Sequence, residues 1–543
     1  MTMGNNIKIF KRIFCSLSAS AVFLGFISCD SQFLDRKPLD RISEADVWSD
    51  ATLIEAYVNT CYNIRHGFLV DFYMMPLSDE AYRRGRETYH LINRGELSPV
   101  NNTALHHWDN YYNVITDCNI FFANIEQAPI SEELKNRFKG EVGFIRAWCY
   151  FRLITFYGGV PLITTPFGLN DEFNVRRNTF DECIQFIMDE LEKSIDLLPM
   201  NYPAANKGRV TKGAAMALKS RVLLYYASPL NNPDNELNRW KQAADAAREI
   251  IDLGVYQLHP DYKSLFLNSD NNEVIWAREF KNNLSVEASI ELHFFPNGSG
   301  GYGQVNPLQN LVDAYETTKG LLPLEDPDYD PQNPYVNRDP RFYASILYDG
   351  APWQDREIGA YLPGGPDSSE GTEGWNASFT SYSVRKFINE EIGRPSGTNV
   401  GNSPWIFIRF GEILLNYAEA MYHLGEEETA RNYVNMIRAR SSVQMPPITA
   451  TGDALLNKIQ HERRIELVFE EHRYFDVRRW KIAEITDNED ALKMSIYRDP
   501  VTGKKTYTPE IFQERTFYPR NYLVPVPQAE IDKNPLLDQN LGY

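Results

Sequence analysis

The sequence predicts a mainly α protein in which tetratricopeptide-like helix pairs frame a loop-rich, irregular C-terminal half with few short strands. Three observations predict it. Apolar residues recur at helical spacing through most of 50–253; that period fades over 255–405, where glycine, proline, asparagine and aromatics dominate; and it returns after 405. Paired helices with short connections and small residues at their crossings are the pattern of a helical-repeat scaffold. At 543 residues the chain can bury a large core, and its length allows two or three domains.

The first helix opens after Ser49-Asp50, with Leu53, Tyr57, Cys61 and Ile64 on one face. The second carries Trp108, Tyr112, Ile115, Asn119 and Phe122. The third begins near Ser131, carries Leu134, Phe138, Val142, Ile145, Cys149 and Phe156, and stops at Gly158-Gly159; residues 160–163 then leave as an extended run. Further helices are predicted over 179–198, 212–226 and 240–253. Residues 274–277 and 342–347 read as short strands between long loops, and loops of that length are usually functional or disordered. The span 406–424 reads as a helix through Phe410, Ile413, Leu414, Tyr417, Ala418 and Met421, and helices over 427–440 and 453–477 complete the set. The predicted organisation is a leader over 1–28, an N-terminal helical region over 29–255, and a C-terminal region over 256–543 with a loop-rich insert at 256–405.

The leader has basic residues Lys8, Lys11 and Arg12, an apolar stretch from Ile13 to Ile27, then Ser28 and Cys29. That order defines a secretory signal peptide. A cysteine directly after the small residue marks the lipoprotein variant, in which Cys29 is acylated and becomes the mature N-terminus. A plain signal peptide or an N-terminal membrane anchor is the alternative, but the apolar run is short for a bilayer. The chain carries 55 basic and 73 acidic residues, a net charge of −18, and removal of the leader makes it −21. This balance argues against nucleic acid, which rewards clustered Lys and Arg. It argues equally against electrostatic docking on anionic lipid, so acyl chains would supply the tether. Cys61, Cys118, Cys149 and Cys183 are widely spaced, fit no zinc pattern, and are expected as buried free thiols on helices.

The run from Glu462 to Trp480 interleaves Glu, Arg and aromatics so densely that it invites a catalytic-carboxylate reading. Arg and Glu at three- and four-residue spacing pair within and between helices, and a structural ion network is the expectation. No HExxH, G-x-S-x-G or P-loop is present, and His461-Glu462 is followed by arginines. A glycosidase-type carboxylate pair is not excluded by counting. Asp326, Asp328 and Asp330 resemble the start of a calcium loop, but Pro331 takes the glycine position and Asn337 replaces the closing glutamate. Neither metal nor cofactor is expected.

Several ordered motifs carry a family resemblance. Phe33-Leu34-Asp35 and Pro38 follow the lipid cysteine; Arg146, Tyr150, Phe151, Leu153 and Tyr157-Gly158-Gly159-Val160-Pro161-Leu162 form one signature; Arg209-Val210-Thr211-Lys212-Gly213-Ala214-Ala215 opens an alanine-rich helix. Arg338-Asp339-Pro340-Arg341-Phe342, then Arg409, Glu412, Leu415 and Tyr417-Ala418-Glu419-Ala420, then Glu462-Arg463-Arg464 through Arg473-Tyr474-Phe475-Asp476, continue the order. Pro525-Val526-Pro527, Asn534-Pro535 and Gln539-Asn540 close it, with Leu541 where a proline is often seen. In these motifs the chain resembles the SusD/RagB family of outer-membrane nutrient-binding lipoproteins. The resemblance implies a SusD-like fold, an outward-facing lipid anchor at the outer membrane, and a SusC-like TonB-dependent transporter as partner, for which the protein is a hinged lid. It implies no hydrolytic activity. The expected cargo is an oligo- or polysaccharide; peptide capture on the same fold, and a secreted polysaccharide hydrolase, are the alternatives.

The matched motifs are scaffold, so ligand residues must come from loop chemistry. Sugars present apolar C–H faces and many hydroxyls, which call for aromatic platforms flanked by amide, carboxylate and guanidinium groups. Three loop regions, 79–107, 282–306 and 350–382, offer them. Trp353, Trp375, Tyr302 and Tyr82 are the first choices, with Arg84, Asn101 and Tyr361 beside them; each also reads as a loop anchor packed on the scaffold. Binding is expected at about −4 to −5.5 kcal/mol, the millimolar to high-micromolar range.

Overall fold

The computed structural model describes residues 44–62, 74–85, 87–101, 107–168, 174–280, 290–396 and 399–543. The expected leader, Cys29 and Ile64 lie outside them. The chain divides into two compact units, Met1–Tyr57 with Gln127–Ile130, and Val58–Glu126 with Ser131–Tyr543. In the first, Asp50 accepts the N–H groups of Thr52 and Leu53 at 2.8 and 3.0 Å, opening the helix Ala51–Tyr62 where the sequence predicts.

The second unit is built on helical hairpins. Ser131 caps Glu132–Tyr157 by accepting from the Leu134 N–H, and this 26-residue helix is buried almost all round from Phe138 onward. It packs between His107–Asn124 and Phe180–Leu197. Its end requires glycine twice over: Gly158 adopts φ 73°, and a Cβ on Gly159 would lie 2.1 Å from the Asn178 carbonyl oxygen. Thr179 and Glu182 form a reciprocal capping box on the next helix. Lys212–Ala227 and Leu237–Asp252 follow, and the latter packs against Phe410–His423, which in turn pairs with Glu427–Arg438 and Gly452–Glu466. All four cysteines predicted as buried free thiols are found so. Burial pushes the Cys118 and Cys149 thiols up, which leaves them unreactive.

Strands occur only as five antiparallel pairs among the described residues. Three predicted elements need correction. Residues 342–347 are mostly helix: Pro340 sits in the first turn and the Asp339 carboxylate accepts the Arg341 N–H, so Pro340–Ser345 coils before the two-residue strand Ile346–Leu347. The helix predicted over 406–424 begins only at Phe410. Trp405–Arg409 is a fully buried strand paired with Val274–Arg278, where its β-branched and aromatic run fits a pleated surface. The helix predicted over 453–477 breaks after Glu466 and resumes as Arg473–Arg479. Phe469 and Glu471 take positive φ in the gap, and the reversal turns Glu470 toward Arg409 and Lys386. The hairpin of Ala491–Arg498 with Lys505–Gln513 has no counterpart in the sequence prediction.

The charged run does form a structural network. Glu466 accepts from Arg409 at 2.8 Å, Arg440 at 2.7 Å and Arg341 at 3.0 Å. Arg409 and Arg440 share Glu273, Arg409 forks onto Glu470, and Lys386 joins Glu470. Arg341 also grips Asp339 and Glu462, which leads to Arg438, Glu316 and Lys458. Six basic and six acidic side chains are thus linked in one neutral cluster. Burial opposes ionisation of Glu466, and Arg440, Arg409 and Arg341 outweigh it, holding the carboxyl well below its usual range. Burial pushes Lys386 down to about 8, with Glu470 pulling the other way. A second group joins Arg221 to Glu412 and Arg463 to Asp476, Arg479 and Glu419.

Two outcomes are expected. Glu466→Gln leaves three buried guanidiniums short of charge and is predicted to cost about 3–5 kcal/mol in urea unfolding. Glu427→Gln, which removes the partly exposed i,i+4 partner of Arg431, should stay within about 0.5 kcal/mol. The second outcome concerns acid. His472 is buried, and its Nδ1 accepts from Arg463, which fixes the neutral tautomer with Nε2 protonated. Burial, then Arg221, Arg463, Arg409 and Arg479, hold its pKa well below 6.5; Glu412, 3.9 Å away, opposes them. Below about pH 6.5 the unfolded chain takes up a proton at this residue that the folded chain refuses, so the contribution of His472 to stability falls as pH drops and is constant above that point. Unfolding measured from pH 7.5 downward should show this slope, and His472→Gln should lower it by up to about 1.4 kcal/mol per pH unit.

Candidate aromatic binding surface

Tyr82 is placed by the strand Ala81–Arg83, which pairs with Val305–Pro307 in the register Tyr82↔Asn306. Alternation turns Ala81 and Arg83 inward and Tyr82 outward. The strand is held from behind by Asp79, which accepts a bidentate pair from Arg473 at 2.8 Å and contacts Arg464 at 2.9 Å. Beside it, burial and the neighbouring Asp79 charge push Glu80 up to about 8. The Tyr82 ring lies flat on His90 at 4.5 Å and meets Phe512 and Phe379 edge-on at 4.6 and 5.8 Å. Burial, then Glu87, raises the Tyr82 hydroxyl, which stays a neutral donor and acceptor. Burial lowers the His90 pKa, so the ring beneath is neutral; neither of its nitrogens has a partner among the described residues.

Arg84 links the loops. Its backbone N–H donates to the Gln304 carbonyl, its guanidinium donates to the Ala377 carbonyl at 2.8 Å, and the same group lies over Phe379 at 5.0 Å. Tyr302 is anchored by its N–H to the Leu292 carbonyl and presents a partly exposed ring beside His293. Next to it, a Cβ on Gly303 would lie 2.6 Å from the Asn376 carbonyl oxygen, so this loop sits directly on the turn Gly374–Asn376. Trp375 rides that turn at 69% exposure, with Phe379 at 45% nearby. Asn297 fastens the base of the turn by donating to the Ser368 and Thr372 carbonyls, and Asn306 accepts the Phe379 N–H. The segments that carry Tyr82, Arg84, Tyr302 and Trp375, chosen from three separate loops, therefore adjoin.

The other three choices do not join them. Trp353 has 0% exposure; its indole N–H donates to the Ser299 hydroxyl at 2.9 Å and its face meets the Phe295 edge. With no open face it cannot be a platform, and it is corrected to a loop anchor. Tyr361 packs with the 491–513 hairpin, where Arg498 and Lys505 lie over its ring at 5.1 and 4.6 Å. Asn101 is exposed in the tight turn with Ser98. Phe379 and Phe512 were missed. Phe379 carried a weak signal, an aromatic inside the small and polar run 377–381, whereas Phe512 lies on the unpredicted hairpin.

The chemistry on offer is stacking and hydrogen bonding. Glu373, at the foot of the Trp375 turn, is paired with Arg394, and Glu370 accepts the Gly364 N–H. No cluster of three metal-ligating side chains occurs among the described residues. In the acidic run after 325, the Lys319 ammonium bonds both Asp326 and Asp328, supplying the positive charge there.

Residues 272–543 match the family model described as SusD family, and residues 32–224 match one described as starch-binding associating with outer membrane. The crystal structure of a SusD-like protein from Bacteroides fragilis superposes with a TM-score of 0.81 at 32% identity, covering 94% of this chain and 100% of that one. A SusD-like carbohydrate binding protein of the same organism gives 0.78 at 27% identity, over 91% of this chain and 100% of its own. A SusD-like protein of Formosa agariphila is 24% identical across 96% of this chain and 97% of its own. A family model spanning half the chain and a solved relative alike over nearly all of it agree with the ordered motifs: the chain belongs to the SusD family.

Proposed function

We propose that this protein is a non-catalytic glycan-capture lipoprotein whose ligand stacks on the surface formed by Trp375, Phe379, Tyr302 and Tyr82, with Arg84 as hydrogen-bond donor at its edge. The observation that carries the reading is Trp375, an indole left 69% exposed on a turn pinned from both sides. A sugar face covering about 60 Å² of it gains about 1.5 kcal/mol. Two such contacts and a few hydrogen bonds reach the expected range of about −4 to −5.5 kcal/mol. The likeness to a carbohydrate binding protein of the same family supports a sugar as cargo.

In this reading Cys29 carries the acyl anchor, and the protein closes over a SusC-like TonB-dependent transporter at the cell surface. No helix among the described residues is long and apolar enough to cross a membrane, and the acidic net charge gives no pull toward anionic lipid, so a covalent tether fits. A tether also raises the effective concentration of a weak site beside its transporter.

Titration of an oligosaccharide panel against the purified protein tests the surface. Trp375→Ala is expected to weaken the best ligand about tenfold, a loss of about 1.4 kcal/mol. Unchanged affinity in both Trp375→Ala and Phe379→Ala sinks the assignment, and release of shortened chains from a polysaccharide would return the hydrolase alternative. Cys29→Ser should move the protein from the membrane fraction to the soluble one; retention on the membrane would overturn lipid anchoring.

A further inference from the structure

A concavity of about 660 Å³ in the second unit shares no residue with the aromatic surface. It lies between the helix His107–Asn124, the extended run after Val160, and the short helix Gln528–Lys533. Its floor is aromatic. Trp108 is braced edge-on against Tyr157 at 5.0 Å, and Tyr112 is fixed by donating its hydroxyl to the Pro161 carbonyl at 2.8 Å. Along its rim Asp109 and Asn113 stand one helical turn apart, both exposed. Neither the carboxylate nor the amide makes a hydrogen bond within the described structure, although Lys533 and Glu530 opposite are paired with each other at 2.6 Å.

Three features choose the ligand class. The volume falls in the range of small-molecule sites and suits two or three sugar rings. The half-buried Tyr112 ring, backed by the buried Trp108 and edged by a carboxylate and an amide that make no hydrogen bond among the described residues, matches apolar ring faces edged by hydroxyls, which donate to Asp109 and exchange bonds with Asn113. The rim carries Asp109 and the paired Glu530 against Lys533 alone, which disfavours a polyanionic sugar. An extended peptide is poorly accommodated, since the backbone it would pair with is taken: Pro161 O by Tyr112, Leu162 N by Asn178, and Ile163 N and O by Tyr150 and Asn119. We propose that this cleft is a second binding site, for a neutral di- or trisaccharide.

Fluorine NMR on 5-fluorotryptophan protein reads the two sites separately, with Trp108→Phe and Trp375→Phe assigning their resonances. Neutral trisaccharides (maltotriose, cellotriose, laminaritriose and xylotriose) are titrated beside trigalacturonate and trialanine. At least one neutral trisaccharide is expected to shift the Trp108 resonance with millimolar saturation, and to do so equally in Trp375→Ala. The double variant Asp109→Ala/Asn113→Ala removes only exposed, unbonded groups and should weaken that response about tenfold. The proposal fails if no neutral trisaccharide moves Trp108, if the shift vanishes in Trp375→Ala, if the double variant responds normally, or if trialanine or trigalacturonate binds there instead. A silent Trp375 resonance would count against the loop surface while leaving the cleft standing.

Discussion

Glu466 is the point on which the structure turns. Its carboxylate receives guanidinium groups from a strand, from the end of a helical hairpin and from the loop region, three segments with no sheet or helix in common. Burying charge is expensive, and a buried pair is often no better for stability than a well-packed apolar substitute. What the twelve-member cluster supplies is registration. Each guanidinium fork is satisfied only in one orientation, so Arg341, Arg409 and Arg440 lock the angles at which irregular segments meet the helices. Complete pairing is essential to this arrangement, since one missing carboxylate strands several cations at once.

The loops that carry the exposed aromatics hang from that cluster. Asp339 and Arg341 fix the turn that leads into Ile346–Leu347; this strand pairs with Ser383–Val384, just beyond Phe379. Lys386, two residues past that strand, returns to Glu470, and Asp79 ties the Tyr82 strand to Arg473. The exposed aromatics are therefore presented by segments whose ends are pinned in the core, although almost none of the loop backbone is regular. A pinned platform gives up little entropy when a ligand arrives. Its affinity is then limited by how much ring surface the ligand covers.

The helices were legible because their signals are local. Ser131, Thr179 and Gly158 announce their roles in a few residues, and amphipathic stripes did the rest. The errors fall where a distant partner decides. Residues 405–409 have an apolar run that suits helix or strand, and only the pairing with 274–278 settles it. Residues 467–472 look helical by composition, but the demand of Arg409 and Lys386 for Glu470 reverses the chain. Among the ligand candidates, residue type alone could not separate Trp353 from Trp375. Both are tryptophans in the same glycine-rich loop, and the difference is that Ser299 and Phe295 close over one while the other stands 69% exposed on its turn. Phe512 was invisible because its relevance depends on a hairpin folding back beside residue 82.

An exposed indole on a rigid turn is an unfavourable feature for a protein with no use for it, because water must be kept against a large apolar face. Here that feature is built with care: Asn297 and Gly303 each constrain the turn, and Arg84 bridges it to a strand from the far end of the sequence. Under the proposed function such construction suits a site that holds its shape while binding weakly and releasing often. On that reading tight binding would slow delivery to a transporter, whereas a preformed platform with a small contact area releases readily and would regain strength through tethering. The ion network and the aromatic surface are two parts of one solution. The first makes loops rigid without sheets, and the second exploits that rigidity to keep apolar rings in water.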